Sequence, residues 1–168
     1  SCAGIVAQGL PPAVGAMLSR HLQKKPGVAI AYLGEGAANA GAFHEALNLA
    51  GVWNLPVLFI VEDNAWGISV SKKQSTSVPR NDVRAAGYGM PGVYVPGNDP
   101  DAIFTAAGEI IARMRKGAGP ALMELETSRL EGHFVGDAEA YRPKGEKEAL
   151  IAKDPIPAYA KRLRADGV

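Results

Sequence analysis

Two stretches decide the fold: Val28-Ala29-Ile30-Ala31-Tyr32-Leu33-Gly34-Glu35-Gly36-Ala37-Ala38-Asn39, and Pro56-Val57-Leu58-Phe59-Ile60-Val61-Glu62-Asp63-Asn64-Ala65-Trp66-Gly67. Each opens with an apolar run, Val28 to Leu33 and Pro56 to Val61, of the length and composition of a buried strand. Each run then breaks into small and polar residues, which brings Glu35 and Asn64 to the same carboxyl edge of one sheet. Open α/β sheets bind their ligands at that edge. A hard cation such as Mg²⁺ takes oxygen ligands in near-octahedral geometry, usually one or two carboxylates together with the phosphates of its ligand. Glu35, the Asn64 amide and a turn carbonyl make a set of that kind. For an isolated Gly-Glu-Gly the blander reading, a strand terminator at Glu35 and a helix cap at Asn39, would be preferred. The matching position of Asn64 tips the balance toward a site.

Outward from these runs the chain alternates helix and strand. Gln8 to Gln23 carries Leu10, Val14, Met17, Leu18 and Leu22 at helical spacing, closed by Lys24-Lys25-Pro26-Gly27. Asn39 is placed to cap a helix whose apolar face is Phe43, Ala46, Leu47 and Ala50. Ala65 to Pro79 reads as a polar loop, Asn81 to Tyr88 as a short helix and Gly92 to Val95 as a short strand. Asp99 to Lys116 then reads as a helix and Ala121 to Glu126 as a strand. From Pro143 on, a tail follows with a helix near Pro157 to Arg164. Strands separated by helices imply parallel order and right-handed crossovers, hence an α/β, doubly wound, mainly parallel sheet with helices on both faces. One domain over 1–142 with a helical tail over 143–168 accommodates everything.

Composition sets bounds without choosing a function. The 168 residues, 47% apolar and 21% charged, suit one ordinary globular core. No apolar run of about 18 residues is present, and Ser1 to Leu10 lacks the pattern of a signal peptide. A formal charge of +1 gives no reason to expect nucleic acid or a membrane surface as partner. The single Cys2 rules out an internal disulfide and has no base near it in sequence. A cytoplasmic setting is expected. His21 and His44 read as surface or satisfied helix histidines, Trp53 as packing, and Lys72-Lys73 as a solvated face.

A second cluster of chemistry-bearing residues runs Arg129-Leu130-Glu131-Gly132-His133-Phe134-Val135-Gly136-Asp137 and on to Tyr141-Arg142-Pro143. Alone, it is as consistent with a salt-bridged surface loop as with a functional one.

Taken together these strings resemble a known family. Gly-(acid)-Gly followed about 26 residues later by an Asx-Asn pair resembles the thiamine diphosphate motif. Gly41-Ala42-Phe43-His44-Glu45-Ala46-Leu47-Asn48-Leu49-Ala50 and the Arg129 to Arg142 loop narrow the likeness to the α subunit of 2-oxo acid dehydrogenase first components. Gly-His-Phe-x-Gly-Asp followed by Tyr-Arg is similar to acetoin dehydrogenase α chains in particular. The resemblance implies thiamine diphosphate and Mg²⁺ as cofactors, with Glu35, Asn64 and the carbonyl of Trp66 on the metal and the amides of Gly36 and Ala37 on the diphosphate. A glycine turn opening a helix suits an anion physically as well. Gly4 and Val6 resemble the pair that contacts the aminopyrimidine, and His133 the histidine that faces the diphosphate and assists transfer to a lipoyl group. Where regulated mitochondrial relatives carry a phosphorylatable Ser after this His, Phe134 stands here.

The resemblance also implies a β subunit in a heterotetramer, a lipoyl-bearing acyltransferase as the next component, and a chain cut short at its N-terminus, since family α chains are roughly twice this length. Self-association of the isolated chain is expected. Two departures stand out: Glu35 where the family usually has Asp, and Asp63 where it usually has Asn. They keep open a non-catalytic remnant that serves as an interaction module. A transketolase-like transferase fits the metal motif but not the His133 loop.

Overall fold

The computed structural model describes residues 4–168; Cys2 lies outside them. Helix α1 (Leu10–Leu22) starts on Pro11-Pro12, which tolerate the first helical turn because its N–H groups lack partners anyway. Strand β1 (Ala29–Gly34), helix α2 (Gly41–Val52) and strand β2 (Val57–Asp63) follow. The stretch that reads as a loop after β2 holds a small hairpin, β3 (Trp66–Gly67) with β4 (Val70–Ser71), and one helical turn, α3 (Lys72–Ser75). A 3₁₀ segment, Asp82–Tyr88, leads to β5 (Gly92–Val95), α4 (Pro100–Arg115) and β6 (Ala121–Glu126). The tail forms two helices, α5 (Glu146–Ile151) and α6 (Pro155–Ala165), where sequence suggests one.

All four strands of the main sheet are parallel, in the order β1-β2-β6-β5. Burial on both faces explains why β2 and β6 read as nearly continuous apolar runs. On one face α1 and α2 bury Leu10, Val14, Phe43, Leu47 and Ala50 against Leu33, Phe59 and Val61. On the other, α4 brings Ile110 and Met114 onto Leu58, Ile60 and Met123. Helices on opposite faces make the sheet doubly wound, as expected. The step from β1 to β2 and the step from β5 to β6 run in opposite directions across the sheet, so the carboxyl end of β2 lies where the winding reverses.

One expected cap is not there. Asn39 ends a 3₁₀ turn (Ala37–Asn39), and the residue before α2 is Ala40, which has no side-chain acceptor to offer. The Asn39 side chain instead donates to Thr76 Oγ1 at 3.0 Å and accepts from Arg84 at 2.8 Å. It ties the turn after β1 to the segments after β2.

Candidate cofactor site at the carboxyl edge

In the β1–β2 register Gly34 faces Glu62, so Glu35 and Asn64 leave neighbouring strands within one residue of each other. The N–H of Asn64 donates to Glu35 Oε2 at 3.3 Å. Glu35 is only 2% exposed, and its other oxygen, Oε1, has no hydrogen-bond partner among the described residues. Burial pushes this carboxyl above its usual range; nearby N–H groups oppose the shift, Asp63 adds to it, and Lys72 counters. A buried carboxylate oxygen without a donor carries a desolvation cost that a cation would offset. The residues therefore fit Mg²⁺, which needs no all-protein cage. Among the described residues no group of three His, Cys, Asp or Glu converges on a metal position, so an ion would draw on one carboxylate, an amide and a carbonyl.

The backbone after β2 is shaped for this edge. Asp63 Oδ1 accepts from the N–H of Ala65 at 3.0 Å, and Asn64 Oδ1 accepts from the N–H of Trp66 at 3.1 Å, two overlapping Asx turns. Between them Ala65 holds φ at 68°, a left-handed conformation that costs an alanine about 1–2 kcal/mol. The Asn64 oxygen keeps a second lone pair for a ligand. Gly36 and Gly67 meet backbone to backbone: a Cβ on Gly36 would lie 3.3 Å from the Gly67 Cα. The hairpin is thereby seated on the turn that carries Gly36 and Ala37. Arg84 holds that turn from behind, donating to Ala38 O at 2.9 Å.

The Arg129–Arg142 segment docks on the same hairpin. Arg129 donates to Ile68 O at 2.9 Å, Tyr141 packs on Trp66 with ring centroids 5.2 Å apart, and the Trp66 indole donates to Glu146 at 3.4 Å. Trp66, Lys73, Thr76, Val78, Pro143 and Glu146 line a cavity of about 800 Å³ here. His133 is exposed, and its backbone N–H donates to Asp137 Oδ2 at 2.8 Å; its ring makes no hydrogen bond among the described residues. Gly4 and Val6 lie in an exposed turn ahead of α1, and among the described residues no hydrogen bond joins that turn to Glu35 or Asn64. The structure thus brings together Glu35, Gly36, Ala37, Asn64 and Trp66 and sets His133 on an adjoining loop. His44 is a satisfied helix histidine, 2.5 Å from the Tyr88 hydroxyl, and Trp53 is 42% exposed.

Two charged residues at this edge escape sequence reading. Lys72 is no solvated lysine: its ammonium pairs with Asp63 and with the fully buried Glu124. Glu124 also accepts from Asn81 at 3.1 Å and from the N–H of Asp82 at 3.0 Å. Burial alone would lower the Lys72 pKa, but Asp63 and Glu124 outweigh it and hold the amine above its ordinary value.

Known proteins are similar to this chain over nearly its whole length. Residues 2–168 match the model of the family described as dehydrogenase E1 component. The α subunit of acetoin:2,6-dichlorophenolindophenol oxidoreductase from Cupriavidus necator is 45% identical over 166 residues, 98% of this chain and 50% of that protein. The pyruvate dehydrogenase E1 component α subunit of Porphyra purpurea is 38% identical over 165 residues, covering 94% of this chain and 48% of that one. The chain spans about half the length of the curated relatives it matches. Among solved structures, transketolase from Leishmania mexicana superposes with a TM-score of 0.62 over 74% of this chain and 20% of that one, at 25% identity. With the family model spanning all but the first residue, the chain belongs to the dehydrogenase E1 component family.

Proposed function

We propose that this chain is the metal–diphosphate half of a thiamine diphosphate-dependent dehydrogenase of α/β-subunit type, acting on acetoin or a 2-oxo acid and passing an acyl group to lipoamide. The observation that carries the reading is the buried, partnerless Oε1 of Glu35 beside Asn64 and the Gly36 turn. Thiamine diphosphate, when bound, supplies the carbon centre for cleavage next to a carbonyl. Glu35, the Asn64 amide and the Trp66 carbonyl would hold Mg²⁺, and the Gly36 and Ala37 amides the diphosphate. His133, on a loop docked to the same hairpin, would hold or donate a proton near the diphosphate, a task imidazole suits near neutral pH. Gly4 and Val6 would line the aminopyrimidine end only once a β subunit closes the site. In this reading 1–142 form the cofactor-binding body and 143–168 a tail, which Tyr159 and Arg162 fasten to Asp99 and Asp101 at the start of α4. A cytoplasmic enzyme with a lipoyl-bearing acyltransferase as its next component completes it. The 45% and 38% identities to dehydrogenase α subunits favour this over a transketolase-like transferase, whose support is fold alone.

The test is thermal melting and calorimetry of the chain with thiamine diphosphate, with and without Mg²⁺. A ligand that binds only the folded state at 100 times its Kd adds about 2.7 kcal/mol, so the melting temperature rises only when both are present. Glu35→Gln weakens that binding, and Glu35→Asp retains or improves it. If no metal-dependent shift occurs in the wild type, in Glu35→Asp, or after addition of a matching β subunit, the non-catalytic remnant is the correct reading.

A further inference from the structure

Three acids reach the carboxyl edge on one face of the sheet. Alternation along β1, β2 and β6 puts Glu35, Asp63 and Glu124 on the same side as Leu33, Val61 and Leu122, under α1 and α2. Two of the three are closed off by the chain itself. Glu124 Oε1 accepts from Lys72 at 3.0 Å and from Asn81, and its Oε2 accepts from the N–H of Asp82. Asp63 spends Oδ2 on Lys72 and Oδ1 on the N–H of Ala65. Of these three, Glu35 alone keeps an oxygen without a partner among the described residues. The Lys72 ammonium is fixed from its own backbone, whose N–H donates to Ala65 O at 2.9 Å at the base of the hairpin. With side chains 13% and 11% exposed, Lys72 and Asp63 are largely out of water. A lysine so desolvated is tolerated only because it is paired.

We propose that Lys72 is a positioning residue for the metal–diphosphate end: it cancels one of two neighbouring buried carboxylate charges and occupies Oδ2 of Asp63, whose Oδ1 the Ala65 N–H already holds, so that Glu35 is the single carboxylate offered to the cation. This rests on the functional reading above. Its signature is a pair of effects of opposite sign. Loss of the ammonium makes the edge more negative, which repels the anionic diphosphate and attracts a bare divalent cation. Neutralising Asp63 while Lys72 remains does the reverse.

The experiment uses Lys72→Met, Asp63→Asn and the double variant of the 168-residue chain. Mn²⁺ alone is titrated by electron paramagnetic resonance, and thiamine diphosphate with Mg²⁺ by calorimetry. In Lys72→Met, thiamine diphosphate binds about tenfold more weakly while Mn²⁺ alone binds several-fold more tightly, as expected for one unit charge at a partly buried site. Asp63→Asn, which preserves shape and the acceptor for Ala65, shifts both in the opposite directions, and it decides the matter should Lys72→Met not fold. The double variant returns both toward wild type. Shifts of the same sign for both ligands, or no shift, overturn the proposal and leave Lys72 a structural latch. Absence of metal-dependent binding in the wild type, in Glu35→Asp and after addition of a matching β subunit overturns the functional reading and this inference with it, whereas intact wild-type binding with same-sign shifts overturns this inference alone.

Discussion

Asp137 collects three donors within one short loop: the Tyr141 hydroxyl at 2.6 Å and the N–H groups of His133 at 2.8 Å and Glu139 at 2.9 Å. The Tyr141 hydroxyl first, then the two amides, hold its carboxyl down at about 2. A folded-state pKa below the unfolded value of about 3.9 means that the loop's order is fully present above about pH 4 and is lost as pH falls through about 2. Carboxyl and amide NMR signals followed through this window are expected to show Asp137 titrating near 2, with the His133 and Glu139 amides losing protection in step. An Asp137 that titrates near its ordinary value would show that the loop is not held this way. At this scale the motif residues were legible because glycine, acid and amide stand together in sequence. Glu124 and Lys72 were not, because they meet across 52 residues of chain, and the alternating acids in Ala-Leu-Met-Glu-Leu-Glu look like the solvent side of an edge strand.

Elements were legible in proportion to their length. The four sheet strands and the three longer helices announce themselves by apolar runs and helical periodicity, with ends shifted by a residue or two. The hairpin strands, two residues each, are too short to show any period, and α3 is a single turn. Asn39 had the right chemistry for a cap, but a 3₁₀ turn intervenes and moves it one residue out of place. Contacts between elements are set more tightly than the elements themselves. A Cβ on Gly92, at the start of β5, would come within 2.1 Å of the Asp82 carbonyl oxygen, and that backbone is held by Glu124. Gly92→Ala is therefore expected to lower unfolding free energy by about 1–3 kcal/mol. It should also expose the Asp82–Tyr88 amides to hydrogen exchange. Urea denaturation showing no loss would mean that the 3₁₀ segment yields freely.

The whole molecule leaves apolar surface in water. Ile30 and Tyr32 of β1 point away from α1 and α2 onto a face that is not covered at that edge, and Phe104 on α4 is 81% exposed. Single exposed apolar residues are ordinary, but an uncovered apolar sheet face resembles a surface that normally meets another chain. The isolated chain is expected to self-associate, with sedimentation velocity giving a weight-average mass that rises with concentration. A strict monomer at high concentration would count against it, and Tyr32→Lys should reduce the association if this face is responsible. The strand order carries a consequence of another kind. β5 precedes β6 in the chain but touches β2 only through it, so β5 has no strand neighbour until β6 inserts between them. Such non-local pairing slows folding, since the loop from Asp63 to Ala121 closes before the sheet gains its last two strands. During synthesis, β1 and β2 can pair while the rest is still being made. The buried acids of β2 and β6 and their lysine come together only at the last insertion, so the charge cluster beside the Glu35–Asn64 pair is completed after the strands that carry that pair.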